Sequence, residues 1–319
     1  MQYLIGRKQR QSLILSMHNL YSKMAYIEAV CKSVFASKLN TEGNFCRYPN
    51  LPKMPDCQVI ALSLAATLEN IHSENSLFAK IANKQIILMA TLPTRQRFNQ
   101  RAKRLRDWCD ELACHLSDEM SLAGEAIIVD STPLPVCRRA RAKRLKICKE
   151  DPALPPATGY SAIDQSYYHG YKLHLACSES GVVNNFFLSA ANESDIKNLY
   201  QLSSCIQGAC DLLADKGYIS QAIQLDLFET KKIRLITPTR RNQRTPSAWT
   251  KKLGRKRRRI ETLFSQMLDQ FALRLNYAKT SLALASRISY KICALTLAQF
   301  DNFLNHRPLC QIKNAPLFQ

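Results

Sequence analysis

The sequence is poor in acidic residues and has no long apolar run. It contains 45 Lys and Arg but only 25 Asp and Glu among 319 residues, which gives a formal net charge of +20. No apolar stretch approaches the roughly 18–20 residues that a membrane-spanning helix needs, and the N-terminal segment lacks the pattern of a signal peptide. This excess of positive charge on a folded chain favours a polyanionic partner, nucleic acid rather than a membrane surface.

The twelve cysteines are scattered singly along the chain. There is no Cys-x-x-Cys pair, and no Cys/His group has the spacing of a zinc finger. Cys109, Cys114 and His115 come closest, but they fall within a helical pattern that offers no second pair of ligands. We therefore expect a reduced, cytoplasmic protein that does not depend on zinc.

The first 120 residues carry helical periodicity. Apolar residues at three- and four-residue steps between Leu13 and Val34 predict one face of a helix, and further helices are expected around 57–70 and 74–90. Residues 92–112 combine an apolar set with six basic side chains. Such a basic amphipathic helix could lie along phosphates or enter a DNA groove. A solvated face on an ordinarily packed helix fits the same pattern.

Residues 125–305 predict a different architecture. In "EAIIVDSTPL" (125–134), four apolar residues precede Asp130, as in a central strand that is buried on both faces. Hairpin strands follow, then a helix over 195–210, a short strand ending at Asp215, a helix at 219–230, a strand and a helix carrying Glu261. This order predicts an α/β fold, a mixed sheet covered by helices. Because reactive groups gather beyond the carboxyl ends of adjacent central strands, the three carboxylates are expected to converge.

Glu261 borders the most basic stretch of the chain. "GRKRRRIETLF" (254–264) contains five basic residues ahead of it, and no other acidic residue lies between Glu229 and Glu261, an interval with thirteen Lys and Arg. As a mere i+4 partner of Arg257, the carboxylate would contribute about 0.3–0.5 kcal/mol. Asp130 and Asp215 would each also suit a turn at a strand end. The three together favour a site for Mg²⁺, which prefers oxygen ligands.

Four segments, "IIVDSTPLPVC", "GYKLHLACSESG", "LADKGYIS" and "RRRIETLF", together resemble insertion-sequence transposases of the DDE type. The resemblance covers about residues 90–305, since "LPTRQRFNQR" (92–101) also resembles the helical N-terminal part of one such subgroup. It implies a helical region at 1–120 that binds DNA ends, a ribonuclease H-like catalytic domain at 121–305 with a basic insertion at 238–259, and a tail at 306–319. It also implies a Mg²⁺-dependent enzyme, with Mn²⁺ as a substitute, that cuts and rejoins double-stranded DNA at element ends and target. A dimer or higher assembly on DNA is expected.

The resemblance also assigns residues. The implied catalytic metal ligands are Asp130, Asp215 and Glu261. Arg257 matches the arginine of a Tyr-Arg-Glu-Lys signature, but Gly254 and Leu268 occupy its tyrosine and lysine positions. Another basic residue must therefore bind the phosphate, or the activity is lowered. The side chains expected to contact the DNA backbone are Arg138, Arg139, Lys216, Arg255, Lys256, Arg257 and Arg258.

Two other functions fit the same residues. A ribonuclease H-like nuclease or resolvase would hydrolyse DNA without joining it, and a DNA-binding protein derived from a transposase would bind without cutting. The aromatic residues follow core patterns and predict no surface for stacking on bases. His174 and Lys172 are expected on the polar face of a strand, either as an ordinary exposed face or in contact with DNA. Glu193 and Asp195 are expected to cap the helix that follows them.

Overall fold

The computed structural model describes residues 20–84, 90–162, 164–206, 208–240, 248–315 and 317. The chain forms two compact units. The first takes its described residues from Met1–Leu116, Gln270–Tyr277 and Leu282–Gln319, and the second takes them from Ser117–Asp269 and Ala278–Ser281. Within the described ranges, no helix has the length and apolar character needed to cross a membrane.

The N-terminal region is helical, as predicted. Its helices are α1 (Leu20–Val34), α2 (Asp56–Leu68), α3 (Glu74–Lys84), α4 (Arg95–Arg104) and α5 (Arg106–Met120). The predicted apolar face is buried in α1, where Met24, Ile27 and Cys31 are each at most 3% exposed; the start of that pattern at Leu13 lies outside the described residues. The basic segment forms two helices rather than one, because the helical hydrogen-bonding pattern is interrupted at Leu105.

The second unit is built on one mixed sheet. Its strands are β1 (Ile127–Arg138), β2 (Ala157–Ser161), β3 (Ser166–Ser178), β4 (Val183–Ala190), β5 (Cys210–Leu213) and β6 (Ile233–Ile236). β1 is central, pairing antiparallel with β3 and parallel with β5, which in turn pairs parallel with β6. β2 and β4 both pair with β3. The order β4–β3–β1–β5–β6 joins an antiparallel meander to two parallel strands, which is the ribonuclease H-like arrangement predicted from the sequence.

Helices α6 (Leu199–Leu202) and α7 (Gln221–Lys231) connect the later strands, and α8 (Lys251–Asp269) and α9 (Ser281–Leu304) follow β6. The prediction of one helix over 195–210 was wrong: 3-10 turns at Asp195–Asn198 and Ser203–Cys205 flank the single turn of α6. From Leu282 onward α9 belongs to the helical first unit, although the sequence analysis placed it in the region 121–305. Residues 241–247 of the predicted basic insertion lie outside the described residues.

The core of the second unit packs directly beside its acidic residues. The predicted end of a strand at Asp130 was wrong, because β1 continues through this residue to Arg138. Val129, the residue before Asp130, is fully buried with Leu212 of β5 and Tyr218 beyond it. On α8, the apolar face predicted from the sequence is buried through Ile260 and Leu263. Because these neighbours are buried, the backbone on either side of each acidic residue is held by close packing.

Candidate active site

Asp130 and Asp215 lie at the same level of two neighbouring parallel strands. Ile128 of β1 is in register with Leu213 of β5, and each aspartate follows two residues later in its strand direction. β5 ends at Leu213, and Asp215 then caps a 3-10 turn by accepting a hydrogen bond from the Gly217 N–H at 2.8 Å. The register therefore explains why these two carboxylates approach each other although they are far apart in sequence.

Arg257 joins Asp130 to Glu261. Its Nη2 donates to Oδ2 of Asp130 at 2.6 Å, and its Nη1 donates to Oε1 of Glu261 at 2.8 Å. The arginine and Asp130 side chains are 19% and 18% exposed, whereas Glu261 is 53% exposed. One guanidinium on α8 thus holds two of the three predicted carboxylates. Glu261 is the i+4 partner of Arg257, and the same guanidinium also binds Asp130.

The carboxyl group of Asp130 is electrostatically strained. Burial raises its pKa to about 7, against the lowering effects of Arg257 and of the Ser131 N–H, and the negative charges of Asp215 and Asp195 raise it further. Burial is the largest cause of the raised pKa, so a cation that bound beside Asp130 would favour its ionised form.

Asp195 is a fourth carboxylate near Asp130, and the sequence analysis gave it a different role. It was expected to cap a helix, but its Oδ1 accepts hydrogen bonds from Ser131 Oγ at 3.0 Å and from Lys172 Nζ at 2.9 Å. The position of Ser131, directly after Asp130, places this acid at the site. The exposed strand position expected for Lys172 is also wrong, because its ammonium is held by Asp195 and by the Glu193 carbonyl.

Tyr218 completes the surroundings of the acids. Its side chain is fully buried, and its hydroxyl has no hydrogen-bond partner among the described residues. Burial raises the pKa of this phenol, and the carboxylates that raise it further are Asp195, Asp130 and Asp215. The hydroxyl therefore lies within the field of the acidic cluster and remains available to a group that enters it.

The carboxylates of Asp130, Asp215 and Glu261 suit a hard divalent cation, but they do not surround a common metal position. In the described part of the chain, no three His, Cys, Asp or Glu side chains are placed so that they could hold a metal ion. Arg257 lies between Asp130 and Glu261 instead. Carboxylate oxygens are the ligands that Mg²⁺ and Mn²⁺ prefer, so the chemistry of these residues fits such an ion once the guanidinium releases them.

Comparison with known families decides the identity of the second unit. A model described as a transposase DDE domain matches residues 121–276, just under half of the chain. Residues 121–276 are a transposase DDE domain. This match agrees with the resemblance of the sequence motifs to DDE-type transposases. No curated protein sequence matches the chain closely enough to count as a relative.

Similar solved structures are transposase complexes. A Mos1 mariner paired-end complex with Mn is 14% identical over 92% of this chain and 97% of that one, with a TM-score of 0.27. A Mos1 transposase paired-end complex with the left transposon end is 14% identical over 93% and 98%, with a TM-score of 0.23. The strand order of the DDE domain by itself matches the ribonuclease H-like fold.

The basic residues predicted to contact DNA have different surroundings in the DDE domain. The exposed members of the set are Arg138, Arg139, Lys216, Arg255 and Arg258. Lys256 forms an ion pair with Glu179, and Arg257 faces the acids as described. The exposed five are accessible to a phosphate backbone, whereas Lys256 and Arg257 would first have to leave a carboxylate.

His174 was predicted on an exposed strand face, and this was wrong. Its ring is fully buried, stacks on Phe187 with centroids 4.9 Å apart, and lies 2.8 Å from the Ser189 hydroxyl through Nε2. Burial lowers its pKa to about 4. A neutral imidazole in this position supports the packing of β3 against β4 and has no direct path to DNA.

Proposed function

We propose that Asp130, Asp215 and Glu261 carry metal-dependent cleavage and strand transfer at the ends of a DNA element. The observation that supports this most directly is the shared guanidinium of Arg257, which brings Glu261 to Asp130. The β1–β5 register adds Asp215 to the same edge of the sheet. Carboxylates that only formed turns would explain neither the shared guanidinium nor the position of Asp215 beside Asp130.

Each side chain has a defined task in this proposal. Asp130 and Asp215 extend from neighbouring strands, and Glu261 extends from α8; together they would hold Mg²⁺, or Mn²⁺ in its place. A divalent metal supplies charge stabilisation for the attacking and leaving oxygens of a phosphoryl transfer. The Tyr218 hydroxyl can donate a hydrogen bond at the edge of the acids. The exposed arginines and lysines would bind the DNA backbone on either side without reading its sequence.

Further features of the proposal concern the whole chain. We propose that the helical N-terminal region, including the basic helix α4, contacts the element ends, and that two or more chains assemble on double-stranded DNA in the cytoplasm. The charge of +20 supports a DNA partner. Helix α4 carries basic residues in its last turn, where they also complement the negative end of the helix dipole.

A strand-transfer assay tests the reaction class. Purified protein, Mg²⁺ and a duplex carrying the element's own terminal sequence with a free 3′-hydroxyl are expected to give joined products in a supercoiled target plasmid. A nuclease or resolvase would release cut DNA and no joined product. DNA binding without cutting would support the alternative of a non-catalytic DNA-binding protein derived from a transposase. Either result would remove the strand-transfer proposal, and a scrambled end sequence is the matched control.

Metal affinity should depend on pH because the pKa of Asp130 is raised to about 7. A ligand carboxylate must lose its proton to bind metal. Below pH 7 the proton competes, so the apparent affinity for Mn²⁺ is expected to fall about tenfold per pH unit, and above pH 7 it should level off. Titration of the full chain with Mn²⁺ at pH 6, 7 and 8, followed by electron paramagnetic resonance, measures this.

The control for the pH titration is Asp211→Asn. Asp211 lies in β5, four residues before Asp215, and forms an ion pair with the exposed Arg234 at 2.8 Å. Its amide variant should keep the wild-type pH profile. A Mn²⁺ affinity that is the same at pH 6 and pH 8 in the wild-type chain would contradict the assignment of Asp130 as a ligand.

A further inference from the structure

Two tyrosines form an exposed pair on the sheet of the DDE domain. Tyr160 of β2 is directly opposite Tyr167 of β3, and their ring centroids are 5.1 Å apart with an interplanar angle of 64°. Tyr160 is 54% exposed and Tyr167 is 57% exposed. The sequence predicted no surface for stacking on bases, and β2, which follows a proline-rich segment, was not predicted as a strand.

The pair is held on a rigid support. The Arg139 guanidinium lies over the Tyr167 ring at 4.8 Å, in the geometry of a cation–π contact. Beside Tyr160, Gly159 packs so closely on Ala191 that a Cβ at this position would come within 2.4 Å of the Ala191 carbonyl oxygen. The rings are therefore displayed by a docked hairpin, and ordering them on binding would cost little conformational entropy.

The surroundings of the tyrosine pair select an anionic partner. Between Asp130 and Glu150 the chain has no acidic residue, and residues 138–149 contain seven Lys and Arg. Exposed basic side chains of this segment include Arg138, Arg139, Arg141, Lys143, Arg144 and Lys146. Of these, Arg139 contacts Tyr167 directly, and Arg138 is in register with Tyr168. One exposed carboxylate, Asp164, lies in the turn between the tyrosines and accepts a hydrogen bond from Ser161. A second copy of this chain, with its own charge of +20, would be repelled. A nucleic-acid strand supplies both phosphates for the cations and ring faces for the tyrosines.

The tyrosine pair is distinct from the acidic site. Asp130 is in register with Leu175 of β3, and Tyr167 lies eight residues earlier in that strand. At about 3.3 Å per residue this is a separation of about 26 Å, which corresponds to about eight base steps of duplex DNA at roughly 3.4 Å each. A strand cut at the acids could therefore reach the tyrosines with a segment several nucleotides from the scissile phosphate.

We propose that Tyr160 and Tyr167, supported by Arg139, bind an unpaired base of the DNA strand by stacking. This inference rests on the proposed function, since it takes DNA as the substrate. In an intact duplex both faces of a base are already stacked on neighbouring base pairs, so the rings act on single-stranded or locally opened DNA. Guanidinium planes stack on bases as aromatic rings do, and Arg139 can take part in the same contact.

Binding of two labelled DNA probes tests the tyrosine pair. The full chain is titrated with a 16-nucleotide single strand and with the corresponding 16-base-pair duplex, in wild type and in the double variant Tyr160→Leu, Tyr167→Leu. Loss of one stacked base should raise the Kd for the single strand by about fivefold or more. The duplex Kd should change by less than about twofold. Tyr160→Phe with Tyr167→Phe keeps the rings and should keep the wild-type affinity for both probes.

Controls separate stacking from loss of folding and from protein association. Tyr277 belongs to the other unit and is 58% exposed. Its variant Tyr277→Leu should leave single-strand binding unchanged. Equal Kd values for wild type and the double leucine variant on the single strand, with duplex binding intact, would overturn the stacking inference alone. The stacking inference would also be overturned if the double leucine variant differed from wild type only in self-association, as measured by sedimentation. If wild type bound neither probe, the proposed function itself would fail.

Discussion

Asp130→Asn, Asp215→Asn and Glu261→Gln are each expected to lower the rate of end cleavage by about a thousandfold or more. A metal ion that loses a carboxylate ligand loses several kcal/mol of stabilisation of the transition state, and about 4 kcal/mol corresponds to a thousandfold change in rate. The amide variants keep the size of each side chain. DNA affinity should therefore change by less than about threefold, because removing a negative charge does not weaken attraction to phosphates.

The carboxylate prediction has a matched control in the same strand. Asp211→Asn removes only a surface ion pair with Arg234, which contributes little to stability, so its cleavage rate should stay close to that of wild type. Cleavage of labelled element ends under single-turnover conditions measures the rate, and a filter-binding titration measures DNA affinity. Cleavage at the wild-type rate by any one of the three amide variants would remove that residue from the site.

The fold and the positions of the acids follow from local sequence patterns. An apolar run that ends in Asp130 specifies a buried central strand, and a second short run before Asp215 specifies its parallel neighbour. Parallel pairing then fixes which residues lie side by side, as the Ile128–Leu213 register shows. The apolar spacing of α8 fixes which face of this helix is buried, and with it the side on which Glu261 lies.

Contacts between distant segments could not be predicted in the same way. The bond from Arg257 to Asp130 links residues 127 positions apart, and only the placement of α8 on the sheet creates it. Asp195 was assigned to a cap because Asp is common there, whereas the Ser131 hydroxyl and the Lys172 ammonium engage it in the structure. The Tyr218 hydroxyl has no hydrogen-bond partner among the described residues, and a tyrosine in an apolar sequence pattern gives no sign of such surroundings.

Arg257→Gln is expected to destabilise the metal-free protein and to enlarge its stabilisation by metal. The variant leaves the buried carboxylate of Asp130 without its cation, and breaking such a pair costs roughly 3–5 kcal/mol. The more exposed contact to Glu261 adds little. A ligand that binds only the folded state stabilises it in proportion to the logarithm of concentration over Kd. Without a guanidinium to displace, Mn²⁺ should bind the variant more tightly at pH 8 than it binds wild type.

Thermal unfolding of the full chain at pH 8, in EDTA and in millimolar Mn²⁺, measures both effects of Arg257→Gln. Arg258→Gln is the matched control, since it removes the same charge from the next residue of α8, where the side chain is exposed. Its Tm should shift with Mn²⁺ as in wild type. An unchanged Tm for Arg257→Gln in EDTA, or the same Mn²⁺ shift in both variants, would show that the guanidinium does not compete for the acids. The carboxylates would then need another route to a common metal, because Arg257 is the cation that now lies between Asp130 and Glu261.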